Sequence, residues 1–502
     1  PRLGAHRLRL GARRVVQREQ RDGGEEGGDA LPLLHVHAHL RVEARRVLRR
    51  QQREGAVLGR RAAAVRRRDR RRREFAQRFV HRVDRQLPQR PAGADGGRRR
   101  SAAVMGRIEG IRDDVCRRAS QKPGVTRTST RIGSFSQLKD AAILTLKVQA
   151  QSLKYGFSLK DASSYNVQFI GSELKFIDTL SFEPYKEGEP WVAYRQFCQH
   201  FLAPLALMAY VDIDLAKLLS NYIDGIPLSL ASKLLPNRTR LNYGLQIHLH
   251  LHAKIQKAYS DSANPKESTT EKKSKAKLTL KGQRAIIEDL ASVINRLKWK
   301  LPTTEWGDYY ANTNYDDQSS LKKRELVNLF IRSIPDKLNI VQDLGANTGD
   351  FSRIASDYCD IVISQDIDPV AVERNYLQSK SEPPNNILPL VQNLVTPSPA
   401  IGWANKERDS FVQRAKCDGL LALALIHHLT ISNNTPLFHV ARLFSQITSW
   451  LVIEFVPKSD SQVERLLATR EDIFEDYTEK GFEAAFSNFF TIKRKEELLG
   501  SD

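Results

Sequence analysis

The stretch "NIVQDLGANTGDF", residues 339–351, decides how the second half of this 502-residue chain is read. An apolar run leads into a glycine turn with the order Asp343-x-Gly345-x-Asn347-x-Gly349. Such a turn can hold a nucleoside triphosphate, a dinucleotide or another nucleotide-like ligand. A P-loop needs a lysine after its second glycine to reach phosphates, and here Gly349 is followed by Asp350 and Phe351. A dinucleotide fingerprint needs G-x-G-x-x-G and a helix N-terminus open to pyrophosphate. The spacing differs here, and Asp350 would oppose a diphosphate. What remains is a ligand with an adenosine-like body and a cationic or zwitterionic end, which suits a carboxylate at a strand end beside bare glycine backbone.

Outward from this turn, apolar runs alternate strictly with helical segments. The runs are "KLNIVQDLG", "CDIVISQD", "NILPLV", "CDGLLALALI" and "SWLVIEFV", and segments such as "DFSRIASDY" and "PVAVERNYLQ" separate them. Alternation of this kind predicts an α/β fold with a doubly wound, mostly parallel sheet. Ligands of such sheets bind beyond the C-terminal strand ends.

In "DLGANTGDF" and the strands that follow it, the chain resembles class I S-adenosylmethionine-dependent methyltransferases, and 334–502 is the extent of that Rossmann-like domain. The resemblance implies S-adenosyl-L-methionine as cofactor, with Asp343, Gly345, Asn347 and Gly349 forming its turn. It further implies that Asp366, in "VISQDIDP", binds both ribose hydroxyls with Asp368 beside it, and that Asn393 meets the adenine edge, where many relatives have Asp. Taken singly, each acidic residue also reads as a helix N-cap. His427 and His428, in "LALIHHLTISNN", fall where methyl group and acceptor meet. A histidine there could accept a proton, its ordinary pKa of ~6.5 suiting the task, or it could line the pocket and orient the cofactor. Because methyl transfer is an in-line displacement, positioning supplies much of the rate and no base is obligatory.

The longer stretches "TPSPAIGWANKERDS", "LALIHHLTISNNTPL" and "PWVAYRQFCQHFLAPL" resemble a bacterial group of methyltransferases related to nodulation proteins. An N/D-P-P-Y tetrad is missing, as is a cysteine placed as a nucleophile for RNA methylation. The expected acceptor is therefore a small molecule or sugar rather than nucleic acid. A non-catalytic binding protein on the same fold and a kinase-type phosphotransferase are the rival readings.

The phosphotransferase reading comes from "FSLKDASSYNVQFIGSELKFIDTLSFE", where Asp161 and Asn166, then Asp178, resemble the catalytic loop and metal-binding strand of protein kinases. The departures are large. Leu159 and Lys160 replace the usual His-Arg, the later tripeptide is Asp178-Thr179-Leu180, and no glycine-rich loop or strand lysine precedes them. The resemblance implies a kinase C-lobe-like, helical α+β accessory domain over 131–259. A linker follows over 260–277, "SDSANPKESTTEKKSKAK", and a helical lead-in over 278–333. "HLHLH", His248 to His252, invites a metal reading, but no carboxylate or cysteine flanks it, and a structural helix is the expectation; no metal site is expected elsewhere.

The first hundred residues hold 29 Arg and 11 acidic residues but no Lys, Ser, Thr, Ile, Asn, Tyr, Trp, Met or Cys, and carry +18 of the formal +21 charge. Residues 1–130 thus read as a disordered basic segment foreign to the domain that follows; a nucleic-acid-binding arm is the alternative. The remainder is nearly neutral. Cys116, Cys198, Cys359 and Cys417 are scattered, which speaks against zinc and disulfides and for a reducing, cytoplasmic setting. Apolar runs all fall short of the ~18 residues that span a bilayer. At the other end, "SNFFTIKRKEELLGSD" predicts a sixth strand at 490–493 and a turn at 500–502, after which the closing strand of the sheet is missing, as expected of a truncated domain.

Overall fold

The structure, a computed structural model, describes residues 134–261, 278–304, 317–383 and 385–498. The expectations for 1–130, for 262–277 of the linker and for the turn at 500–502 lie outside the described residues.

Helix α1, Phe135–Lys154, starts where Ser134 and Gln137 cap each other reciprocally. It ends at Tyr155 before Gly156, whose φ of 78° a side chain would resist. Its stripe of Leu138, Ala142, Leu146 and Leu153 lies in a core shared with the helical run that follows. Strand β1, Phe157–Leu159, pairs antiparallel with β4, Phe182–Pro184; between them β2, Val167–Ile170, and β3, Glu173–Phe176, form the expected hairpin through Gly171 and Ser172. Helices then continue to His252–Asp261, two residues into the stretch expected as linker. Two wide π-helical turns, Cys198–Leu202 and Gln246–Leu251, interrupt them.

The lead-in splits between two cores. Helix α2, Leu280–Arg296, buries Ile287, Leu290, Val293 and Ile294 in the upstream core, whereas α3, Asp317–Ser333, sets Val327 and Ile331 against the sheet.

Strands β5 Ile340–Leu344, β6 Ile361–Asp366, β7 Ile387–Val391, β8 Gly419–Ala422 and β9 Leu451–Ile453 form one parallel sheet in the order β7-β6-β5-β8-β9. Helices α4 Asp350–Ser356, α5 Pro369–Ser381 and α6 Leu437–Ile447 connect them. The fold is a doubly wound, Rossmann-like parallel sheet with helices on its faces. Because the chain winds outward from β5 to β7 and then returns to β8, the order reverses between β5 and β8. A crevice opens there at the C-terminal strand ends.

The sixth strand expected at 490–493 does not form. Helix α7, Glu479–Ser487, instead continues a helical aromatic spacing in which Phe486 meets Phe482 at 4.6 Å and Phe490 at 6.3 Å, and Thr491 onward is largely exposed. An apolar pair followed by charge was read with a strand period although the aromatics recur every four residues.

The upstream region closes the β7 edge of the sheet. Gln137 Nε2 donates to the carbonyl of Pro389 on β7 at 2.9 Å, Ser136 N donates to Glu373 at 3.0 Å, and Tyr376 OH and Lys380 Nζ both reach Asp140. At the β2–β3 turn Ser172 N donates to the carbonyl of Asn385 at 2.8 Å. A Cβ on Gly171 would overlap that same carbonyl, and the residue's φ is 60°. Gly171→Ala should therefore lower stability by ~1–3 kcal/mol through overpacking against rigid backbone. Thermal denaturation of the full chain checks this; an unchanged transition would mean that the hairpin tip is not held against the sheet.

Candidate functional site

The glycine turn leaves β5 with three left-handed residues in alternation, Gly345 (φ 73°), Asn347 (φ 50°) and Gly349 (φ 87°). Asparagine is among the few side chains that accept this conformation. The amides of Gly345 and Ala346 both donate to the carbonyl of Gln365 on β6, and that of Asn347 donates to Asp366 Oδ2 at 2.8 Å. Each glycine also has a packing reason. A Cβ on Gly345 would stand 3.2 Å from Leu425, in the turn after β8, and one on Gly349 would stand 2.5 Å from Asn375 of α5.

The two carboxylates flanking this turn are buried. Asp343 accepts from Ser352 Oγ at 2.6 Å; Ser352 Oγ in turn accepts from Ser364 Oγ at 2.8 Å, and Ser364 accepts from Asn375 Nδ2, so one hydrogen-bonded chain joins β5, α4, β6 and α5. Burial pushes the Asp343 carboxyl up to about 7, against the opposing hydrogen bond from Ser352. Asp366 is raised by burial to about 6, although it accepts from the amides of Asn347 and Asp368. Asp368 takes the helix-capping role: Oδ1 accepts from Val370 N at the start of α5, and Oδ2 accepts from Thr304 at 2.6 Å. Asn393 Oδ1 accepts from the amides of Val395 and Thr396, stabilising its own turn.

The histidines open a π-helical turn, His428–Ser432, directly after β8, their rings 4.0 Å apart. Burial lowers His427 to about 3, assisted by His428 and Lys323, and lowers His428 to about 4. Burial thus favours the neutral form of both rings and makes each a weaker proton acceptor than an exposed histidine. His427 Nδ1 is buried and has no hydrogen-bond partner among the described residues.

Several residues of this crevice were not singled out in the sequence. Lys323 of α3 is buried and pairs with Glu454, just beyond β9, at 2.7 Å; its neighbour Arg324 pairs with Asp350 at 2.8 Å. The repulsion of phosphate expected from a bare Asp350 is thus offset by a cation from another element. A signal was present. Lys323 stands four residues before Val327 and eight before Ile331, a charged group at a core position of an amphipathic helix, and Glu454 interrupts the apolar run "LVIEFV". Ile367, beside Asp366, is 56% exposed, an apolar face at the rim of the same turn.

Upstream, Asn166 Nδ2 donates to the carbonyl of Asp161 and to Ser181 Oγ, and Ser181 Oγ donates to Asp178 at 2.5 Å. One short chain thus brings Asn166 and Asp178 together. His248 stands between Tyr194 OH and Asp289 Oδ2, and His250 between Ser232 and Thr239. Among the described residues no group of three His, Cys, Asp or Glu could hold a metal ion, and no helix is long and apolar enough to cross a membrane.

Over 370 residues the chain is 38% identical to nodulation protein NoeA of Rhizobium meliloti (strain 1021), an alignment covering 73% of this chain and 76% of that protein. The chain belongs to the NoeA family of nodulation proteins. No family model matches it. Among solved structures it is similar to N-methyltransferase NodS from Bradyrhizobium japonicum WM9, at 11% identity and a TM-score of 0.25 over 34% of this chain and 83% of that one. It is also similar to the bifunctional kinase-methyltransferase WbdD, at 17% identity and a TM-score of 0.25 over 36% and 37%. Likenesses of this size leave the chemistry of this NoeA relative to be argued from its own residues.

The buried carboxyl of Asp343 carries a consequence for pH. Its folded pKa lies above its unfolded value near ~3.9, so its contribution to stability is complete below about pH 4 and is lost as pH climbs through about 7. Asp366 runs in the same direction, while His427 and His428, lowered on folding, lose their contribution as pH falls below ~6.5. Asp343→Asn should match the wild-type melting temperature near pH 4 and exceed it above pH 7. Denaturation scans across that range read the difference directly; a constant offset would mean that Asp343 does not titrate with folding.

Proposed function

We propose that the chain is an S-adenosylmethionine-dependent methyltransferase acting on a small-molecule or sugar acceptor. The observation that carries this reading is the placement of Asp366 at the C-terminal end of β6, next to the glycine turn that follows β5, its two oxygens tied to the amides of Asn347 and Asp368. Each oxygen has a second lone pair for a ribose hydroxyl, and exposed Ile367 offers an apolar face to an adenine ring. With the Asn393 carbonyl engaged in its own turn, its amide nitrogen is the group for the adenine edge.

The donor set suits the cofactor's charge as well. Asp343 and Asp366 are held up by burial, and a sulfonium beside them would favour their ionised forms. When bound, the cofactor supplies an activated methyl group; the protein's part is to orient it, exclude water and present the acceptor. Neutral His427 and His428 line the methyl-facing side, His428 meeting the acceptor.

The acceptor class is supported by what the chain offers and lacks. Residues 101–502 hold 50 basic and 47 acidic residues, too even a balance for a phosphate track. The described cysteines are poor nucleophiles, burial raising Cys359 and Cys417 to about 12 and Cys198 higher still. The Asn166–Ser181–Asp178 chain favours a kinase-like ancestry for the upstream region, which we assign a scaffolding or acceptor-recognition role.

Titration calorimetry with S-adenosylmethionine and, separately, with Mg-ATP tests this reading. Saturable cofactor binding is expected; its absence would sink the proposal, and ATP binding that depends on Asp178 would establish the phosphotransferase instead. Gly345→Val should abolish cofactor binding. Asp366→Ala should weaken it at least about a hundredfold, since two hydrogen bonds to a charged group are worth ~1.5–3 kcal/mol each. With labelled cofactor and a metabolite extract, His428→Phe should cut methyl incorporation more than it cuts cofactor affinity, and equal losses would restrict His428 to lining.

A further inference from the structure

The buried pair Lys323–Glu454 belongs to no expected site, yet it stands among the groups that shape this crevice. Its carboxylate is shared: Glu454 Oε2 lies 2.7 Å from Lys323 Nζ and accepts from Ala424 N at 2.7 Å. Ala424 has a φ of 47°, a left-handed conformation that alanine resists, and it is the residue at which the chain leaves β8 for the histidine turn. The next residue, Leu425, rests against Gly345, and its carbonyl accepts from His428 N at 3.1 Å. Lys323 also lies 5.3 Å from the ring centroid of Phe351, at the start of α4, and its charge is felt at both Asp343 and His427. One ion pair therefore links α3, the glycine turn and the histidine turn.

Isolated buried ion pairs seldom add net stability over apolar residues of the same shape. This one accompanies a strained backbone residue, and strain persists where the surroundings over-determine it. Building on the methyltransferase reading, we propose that Lys323 and Glu454 are positioning residues: Glu454 holds Ala424 in its left-handed turn so that His427 and His428 face the glycine turn, and Lys323 fixes Glu454 in that place. A dipole alone can hold the amide; the pair's charge balance keeps the carboxylate from turning away. Burial is the main cause of the low proton affinity of His427; His428 on its own turn and Lys323 from α3 add to it.

The test uses the full chain, with amide exchange and histidine NMR as readouts and S-adenosylhomocysteine as probe. Lys323→Met should raise exchange at the Ala424 amide at least about tenfold, leave β5 to β7 protected, and move the His427 titration upward. Glu454→Ala should free the same amide. The charge-neutral double variant Lys323→Met/Glu454→Gln, which keeps an acceptor for Ala424, should recover most of the protection and most of the probe affinity lost in Lys323→Met. Uniform loss of protection across the sheet, or an unmoved His427 titration in Lys323→Met, would overturn the proposal and leave the pair a structural one. Failure of the wild-type chain to bind the probe would instead overturn the cofactor reading, since the exchange and titration readouts need no ligand.

Discussion

The crevice depends on one carboxylate held by backbone. Asp366 ends β6, and its two oxygens accept from Asn347 N in the turn after β5 and from Asp368 N at the start of α5. Neither turn would hold its course on conformational preference alone, since Asn347 is left-handed and Asp368 must leave the strand to cap a helix. Charge-assisted bonds to buried amides are among the stronger ones available. The cost is a carboxyl out of water, visible as its raised pKa. Stability is thus given up at the place where a ligand with hydroxyls and positive charge would restore it.

The polar chain through Asp343, Ser352, Ser364 and Asn375 acts in the same sense beneath the turn. It fastens four elements by side-chain hydrogen bonds within the buried parallel sheet. Gly349 has no side chain because Asn375, the last member of that chain, occupies the space. The glycine pattern of the sequence therefore records two demands, backbone conformation and close packing, that cannot be separated by spacing alone.

The five parallel strands, the glycine turn and the amphipathic helices α1, α2 and α3 were legible in the sequence, because each follows from a local period or a turn residue. Side-chain assignments were legible only in part. Asp368 and Asn393 lie where expected, but their oxygens serve a helix cap and a local turn, alternatives that no spacing distinguishes from ligand contact. Lys323 and Glu454 were missed because they are 131 positions apart in the numbering, and only the folded sheet brings them together. The histidines follow β8, and their lowered proton affinity comes from burial, a property of the tertiary fold that no spacing reveals. The expected sixth strand failed where a helical aromatic period was available from Phe482 to Phe490.

The outermost strand, β7, is covered by side chains and turns from a region more than 200 residues earlier: Gln137 takes the carbonyl of Pro389, Asp140 holds Tyr376, and the β2–β3 turn sits on Asn385. An open strand edge is a template for unwanted pairing. In evolutionary terms, the sheet and its upstream neighbour are bound to a common inheritance. Recombination that passed on the sheet alone would pass on an uncovered strand edge with it, so the sheet and its upstream cover form one heritable unit.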